Sequence, residues 1–280
     1  MSEDLAKRII KYLPELGAFH KHYSRSNLCD VFSAEFNNKT VVIKLFNSET
    51  KEQKEEFETL PFHEVKQELL SLDNKFIMKN YKFGENYVIS EFCGRKNMGF
   101  LIKKKSKKEL LAYYKNILTA IKYLKENNLS HNDIKPDNIV ISKEGLPKLV
   151  DIELYSKINF KFKKDPMATL QYCAPEQCFE GKINEFSDIY ALGATLLQIL
   201  TGLTPIENLC GSNNCLYEWA EINFNYKNSN NKIKFDFKNS EFENDEEIQK
   251  LVNDMLFFNY KKRPDIDVVI ERFNSWYKKL

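Results

Sequence analysis

Eight consecutive residues, HNDIKPDN at 131–138, concentrate the chemistry of this chain. Asp133 and Asn138 lie five positions apart with Lys135 between them, and Pro136 keeps the stretch from forming a regular helix. Such a loop can bring a carboxylate base, a cation and a metal-binding amide to one point. Thirteen residues after Asn138, Asp151 ends the run KLV, where a buried strand could hold a carboxylate at a metal ion. Upstream, the period of two within VVIKLF (41–46) puts Val42, Lys44 and Phe46 on one face of a strand. Lysine is depleted in strands, so Lys44 needs a reason to be there. Together these are the parts of phosphoryl transfer, a chemistry of charge neutralisation and positioning.

Those residues need a frame. Residues 28–46 read as two β-rich runs around a polar Asn37-Asn38-Lys39 turn, and NYKFGENYVISEF (80–92) reads as a second hairpin turning at Gly84-Glu85-Asn86. Between them, 51–72 reads as helical, with charges in front and Leu69, Leu70 and Leu72 behind. From about 109 the pattern turns helical: apolar residues at 111, 114, 117, 118, 121 and 124 follow a period near 3.6 and stop at Asn127-Asn128. A short β patch, NIVIS and PKLVDIEL, precedes further helices from 187. A β-rich first third and a helix-rich remainder predict an α+β fold of two lobes meeting near residue 93. Residues 227–245, with five asparagines and alternating charge, read as an exposed loop.

Composition narrows the classes. A chain of 280 residues with 42% hydrophobic and 29% charged residues reads as soluble and globular, large enough for a sizeable core. The net charge of +2 gives no global field towards nucleic acid or membrane, so neither is expected as a partner. The start, MSEDLAKRIIKYL, lacks a signal-peptide core. The longest uncharged run, Ile189 to Ile206, carries Gln198, three threonines, two glycines and Pro205, and reads as a buried helix rather than a bilayer span. Six cysteines form no CxxC pair. They read as reduced thiols of a cytoplasmic protein, including Cys210 and Cys215, which could otherwise close a small loop or hold a metal. Export into another cell would need no signal legible here.

With these motifs in order, the chain resembles a eukaryotic-like (Hanks-type) protein kinase domain. VVIK (41–44) is similar to the V-A-I-K strand, and HNDIKPDN to the H-R-D-x-x-x-x-N catalytic loop. Asp151-Ile152-Glu153 stands where D-F-G belongs, and Ala174-Pro175-Glu176 is the A-P-E motif. SDIYALG (187–193) resembles the central helix, and Lys262-Arg263-Pro264 a late R-P element. The likeness runs over roughly 20–275, with wording closest to bacterial-type Ser/Thr kinases. It implies a small β-rich N-lobe (1–93) and a larger α-helical C-lobe (94–280), with ATP and Mg²⁺, or Mn²⁺, as cofactors and a protein hydroxyl as substrate.

Residue by residue, the resemblance implies that Lys44 pairs with the α- and β-phosphates and with a helix glutamate. Glu64 fits the usual separation of 20 residues from Lys44, while Glu68, four residues before apolar Leu72, is the alternative; spacing favours Glu64. Asp133 would accept the substrate proton, Lys135 would steady the γ-phosphate, and Asn138 and Asp151 would hold Mg²⁺. Glu91 and Cys93 would offer backbone groups to adenine, beside Val31 and Val42 and with the small Ser90 at the back. Asp188 would brace the catalytic loop, and Glu176 and Arg263 would pair structurally. Lys135 with Thr169 favours Ser/Thr over Tyr acceptors.

The pattern also departs from the family. Aligned back from Val31, the Gly-rich loop becomes SRSNLCDV (24–31), without glycine. Cβ atoms at three such positions would cost on the order of 1–3 kcal/mol each in the same geometry. A different path is expected, with Ser24 and Ser26 hydroxyls donating to phosphate and ATP bound weakly. Asn132 replaces the arginine that reads a phosphorylated activation loop, so control by such phosphorylation is not expected. Glu153 replaces a glycine and could bind metal or face solvent.

Blander readings compete. Lys44 could be a surface lysine, and Asp133 and Asn138 mere turn-formers, but six collinear motifs argue otherwise. His131 reads as structural, hydrogen-bonded to backbone, and the run Lys103 to Lys108 as a solvated connection. Lys157, Lys161, Lys163 and Lys164 suggest an acidic peptide substrate, and Cys29 reads as a buried thiol. Two rivals to an active protein kinase remain: a pseudokinase scaffold, and a small-molecule phosphotransferase of the aminoglycoside or choline kinase type.

Overall fold

The computed structural model describes residues 3–25, 28–162, 169–211 and 234–280. An N-terminal helix, α1 (Glu3–Tyr12), leads into strands β1 (Phe19–Arg25), β2 (Cys29–Phe36) and β3 (Lys39–Phe46). After helix α2 (Lys51–Glu58), a 3-10 turn (Pro61–Val65) and α3 (Lys66–Ser71), the strands β4 (Asn80–Phe83) and β5 (Tyr87–Glu91) complete the sheet. All neighbours in it are antiparallel, in the order β1-β2-β3-β5-β4.

Both expected hairpins form. Asn37 and Asn38 turn β2 into β3 with φ of 49° and 58°, left-handed values that asparagine tolerates better than most residues. Gly84 turns β4 into β5, where a Cβ would lie 2.1 Å from the Tyr87 ring.

The single helix expected over 51–72 does not form. Thr59 caps α2, and Pro61 then opens a 3-10 turn, because proline has no N–H to continue an α-helix. Only Lys66–Ser71 returns to α geometry. This break turns Glu64 outward, with consequences for the site.

The remainder is mostly helical. β6 (Lys96–Asn97) and α4 (Met98–Ile102) precede α5 (Lys107–Glu126), which opens on a capping box between Ser106 and Glu109. The six apolar positions read from the sequence of α5 are all buried: Leu111, Tyr114, Ile117, Leu118, Ile121 and Leu124. Short strands follow: β7 (Leu129–Ser130), β8 (Ile139–Ile141), β9 (Pro147–Leu149) and β10 (Ser156–Lys157). β10 pairs with β7, and β8 lies between β6 and β9. Then come α6 (Pro175–Glu180), α7 (Ser187–Thr201), α8 (Pro205–Cys210), α9 (Glu246–Met255) and α10 (Ile266–Tyr277).

Helix α7 is buried along nearly its whole length, as its apolar sequence requires. Among the described residues no helix is long and apolar enough to cross a membrane. One core runs from the inner face of the small sheet through α5, α7, α9 and α10. A second, smaller core lies on the sheet's outer face, where Leu5 and Leu13 pack against Phe32, Ile43, Leu45 and Ile89.

Two further expectations change. The described part of the 227–245 segment is not an exposed loop, because Phe235, Phe237 and Phe242 anchor it in the main core. Cys29, Cys93 and Cys210 form no disulfide, but Cys173 is joined to Cys178 across the Ala174-Pro175-Glu176 element, with Cα atoms 6.2 Å apart. Cys215 lies outside the described residues. Of the run Lys103 to Lys108, only 103–106 connects α4 to α5, with Lys105 paired to Glu109; Lys107 and Lys108 open α5, and the partly buried Lys107 donates to the Ile199 carbonyl.

Candidate active site

A cleft of about 300 Å³ opens between the small sheet and the helical part, within the size range of small-molecule sites. Val31 on β2 and Val42 on β3 line it from one side, and Val140 on β8 from the other. Its inner edge is the connection after β5, where Glu91 and Cys93 line the cleft. The Glu91 carboxylate is engaged elsewhere, by Lys148 at 2.8 Å. Burial, reinforced by the nearby Glu91, pushes the Cys93 thiol up to about 12, so this cysteine is an inert apolar wall. Ser90 donates to Asn80 Oδ1 at 2.8 Å and stands as a small residue lining the cleft.

β1 continues to Arg25 and β2 resumes at Cys29. Ser24 is exposed on β1 and does not line the cleft, so the structure does not bring its hydroxyl to the nucleotide position expected for it. Ser26 lies outside the described residues. Tyr23, which the sequence reading missed, does line the cleft, its ring stacked on Phe92 with centroids 6.3 Å apart. Nothing in the alternation of FHKHYSR (19–25) marks it, because the contact depends on how β1 crosses the connection.

The catalytic-loop residues converge. Asn138 donates from its amide nitrogen to Asp133 Oδ2 at 2.8 Å and to the Asp133 carbonyl at 2.9 Å. Lys135 Nζ lies 2.6 Å from Asp133 Oδ2 and 2.5 Å from Thr169 Oγ1. The Thr169 hydroxyl in turn donates to Asp133 Oδ1 at 2.9 Å. A hydroxyl thus already sits on the proposed base with a cation beside it.

Helix α7 supports this loop from below. Asp188 accepts from the backbone N–H groups of His131, at 2.8 Å, and Asn132, at 2.9 Å. His131 is structural: Nε2 donates to the Val150 carbonyl at 3.1 Å, and Nδ1 accepts from the Asp133 N–H at 3.3 Å. Burial holds the ring neutral, lowering its pKa against the opposing pull of Asp188, Asp133 and Asp151. Asn132 sits at a φ of 68° and donates to the Leu154 carbonyl at 2.6 Å and Ser156 Oγ at 2.9 Å. A neutral amide therefore ties the loop to the following segment. Further back, Arg263 grips Glu176 through two bonds of 2.7 and 2.8 Å, the structural pair the resemblance implies.

Lys44 reaches the cleft from β3, but its partners differ from expectation. It binds Asp151 Oδ1 at 2.8 Å and, in a shorter contact, Glu153 Oε1. Glu64 is exposed on the 3-10 turn that Pro61 opens and does not meet Lys44. Glu68 does not meet it either, being paired with Lys157 on β10. Burial alone would raise the Asp151 carboxyl, but Lys44, with Lys135 behind it, holds it below its ordinary value.

The donor set suits a hard cation. Asn138 spends its amide nitrogen on Asp133, which leaves the oxygen for metal, and Asp151 supplies a carboxylate. Among the described residues no cluster of three or more His, Cys, Asp or Glu side chains forms a protein-only cage. One carboxylate and one amide completed by phosphate oxygens is the usual way Mg²⁺ is held. Of the activation-segment lysines, Lys157 is committed to Glu68, Lys161 bridges to Lys182 through backbone, and Lys163 and Lys164 lie outside the described residues.

Comparison with known proteins sets the chain beside protein kinases. The chain is 31% identical over 156 residues to the serine/threonine-protein kinase PrkC of Bacillus subtilis, covering 52% of this chain and 24% of that protein. It is 27% identical over 203 residues to the interferon-induced, double-stranded RNA-activated protein kinase of Mus musculus, covering 70% and 36%. Against calcium-dependent protein kinase 4 of Plasmodium falciparum it is 32% identical over 157 residues, covering 52% and 29%. The chain therefore spans well under half the length of these relatives. The family description "Protein kinase domain" matches residues 27–273, nearly the whole chain, and with the cleft and catalytic loop found in the expected order, the chain belongs to the protein kinase family.

Proposed function

We propose that the protein transfers the γ-phosphoryl group of ATP to a serine or threonine hydroxyl of a protein substrate in the cytoplasm, with nucleotide held between an N-lobe (1–93) and a C-lobe (94–280). The observation that carries this reading is the Thr169 hydroxyl, which donates to Asp133 while Lys135 reaches both. A substrate hydroxyl in that position would deliver its proton to Asp133 Oδ1 as its oxygen attacks phosphorus in line. Lys135 would hold the γ-phosphate against the approaching oxygen, and Lys44 would bind the α- and β-phosphates. Val31, Val42 and Val140 would clasp the adenine, with backbone groups of Glu91 and Cys93 at its edge. Mg²⁺ or Mn²⁺, held by Asn138 and Asp151, would supply neutralisation of the phosphate charge.

A scaffold without turnover is the second reading, favoured by the pairing of Lys44 with Asp151 and Glu153 and by the loop without glycine. Purified protein incubated with γ-labelled ATP and Mg²⁺ or Mn²⁺, beside Asp133→Asn, separates the two. Label on a protein acceptor that Asp133→Asn abolishes supports the enzyme. No label from wild type, with ATP still raising its melting temperature, supports the scaffold.

A further inference from the structure

The side chain of Lys44 is only 15% exposed, so its charge needs an anionic partner inside the cleft. Both partners come from one tripeptide after β9, Asp151-Ile152-Glu153. They are not equivalent. If Asp151 turns towards a metal–nucleotide complex, its hold on Lys44 weakens, and Glu153 is then the carboxylate that remains. Glu153 is itself well buried, at 12% exposure, and its Oε2 is buried with no hydrogen-bond partner among the described residues. A buried carboxylate with one oxygen unsatisfied is tolerated only where its other oxygen meets a strong partner, and Lys44 is that partner.

The helix glutamates are engaged otherwise. Glu64 is exposed beyond the break at Pro61, and Glu68 is tied to Lys157. We propose that Glu153 is the positioning residue for Lys44, doing from the segment after β9 what a helix glutamate does in the family pattern. The inference rests on the reading of Lys44 as the phosphate-binding lysine. It has a structural consequence: Lys44 is aligned by the same tripeptide that carries Asp151, so α3 need not swing inward to complete the site. The α3 glutamate, Glu68, instead braces β10 through Lys157.

The test uses the full chain and four variants: Glu153→Gln, Glu153→Asp, Glu64→Gln and Glu68→Gln. The first readout needs no nucleotide. It is the acylation rate of Lys44 by a small activated ester, followed by peptide mass spectrometry. The two carboxylates hold the amine nitrogen inside the cleft and away from the ester, so Glu153→Gln should label Lys44 at least about threefold faster, while Glu64→Gln and Glu68→Gln match wild type. The second readout is kinetic. Glu153→Gln should raise KM for ATP and lower kcat, by about tenfold in kcat/KM, with partial recovery in Glu153→Asp.

Labelling unchanged by Glu153→Gln, or accelerated by Glu64→Gln or Glu68→Gln, overturns the proposal. So does faster phosphate transfer in Glu153→Gln, which would make the contact a brake. If wild type transfers no phosphate while Lys44 labelling still responds to Glu153→Gln alone, the pairing stands and the enzymatic reading fails.

Discussion

Helix α1 lies outside the stretch matched by the kinase family, yet Arg8 builds it into the fold. The Arg8 side chain is 7% exposed and that of Asp30 on β2 is 1% exposed, with Nη1 and Oδ2 2.6 Å apart. The same guanidinium donates to the carbonyls of Leu45, at 3.2 Å, and Phe46, at 3.0 Å, at the end of the strand that carries Lys44. Arg8→Met removes this cation from a buried carboxylate whose other oxygen lies 2.9 Å from His22 Nε2. Breaking a buried pair from one side costs about 3–5 kcal/mol. Whole-domain stability is only about 5–15 kcal/mol, so Arg8→Met should be among the most damaging single changes in the small lobe. At roughly 2–4 °C per kcal/mol for a chain of this size, the melting temperature should fall by about 6–20 °C. Arg8→Lys should be intermediate, because an ammonium cannot span Asp30 and two carbonyls as the fork does. The double variant Arg8→Met with Asp30→Asn should be closer to wild type than the sum of its singles, since no charge is left unpaired. Denaturant unfolding and thermal melts of all five proteins, the single variant Asp30→Asn and wild type included, measure this. An Arg8→Met protein within about 1 kcal/mol of wild type, or a double variant that loses the full sum, would refute the reasoning.

Other sites give sharper contrasts. Glu176→Gln should cost about 3–5 kcal/mol in chemical unfolding, because Arg263 is fully buried, whereas Lys51→Ala at the exposed Lys51–Glu55 pair should stay within about 0.5 kcal/mol. Gly193→Ala should lower the melting temperature despite alanine's better helix propensity: its Cβ would lie 2.9 Å from Met255 Cβ and 3.1 Å from Leu256 Cγ, forcing α7 from α9. Stability should fall as pH drops below the ordinary imidazole value of about 6.5. Burial depresses both His131 and His63, so the unfolded chain takes up protons first and the loss continues until the folded rings titrate. Melting curves between pH 8 and pH 5 should show this slope, shallower in His131→Gln; an unchanged slope in that variant would remove His131 as a cause.

Most of the site was legible because its parts are local. Asp133, Lys135 and Asn138 occupy one loop, and the spacing of HNDIKPDN already brings them within reach of one another. Asn37-Asn38 marks the β2–β3 turn through backbone preference, and the period of α5 names its buried face. Glu153 was visible as a departure, but not its partner. The misplacement of Glu64 came from counting residues through 51–72 as one helix, when Pro61 resets the geometry and separation no longer predicts direction. The phenylalanines at 235, 237 and 242 were hidden by the polar residues around them.

By itself the sequence determined most of the elements, the order of the motifs and the chemistry of the catalytic loop, because those depend on neighbours within a few residues. Tertiary structure decided which carboxylate meets Lys44 across 109 residues, which strand Arg8 locks from 22 residues away, and which ring stacks on Phe92. Such pairings are set by how strands and helices cross and by which charges are buried together, and burial is a property of the assembled chain.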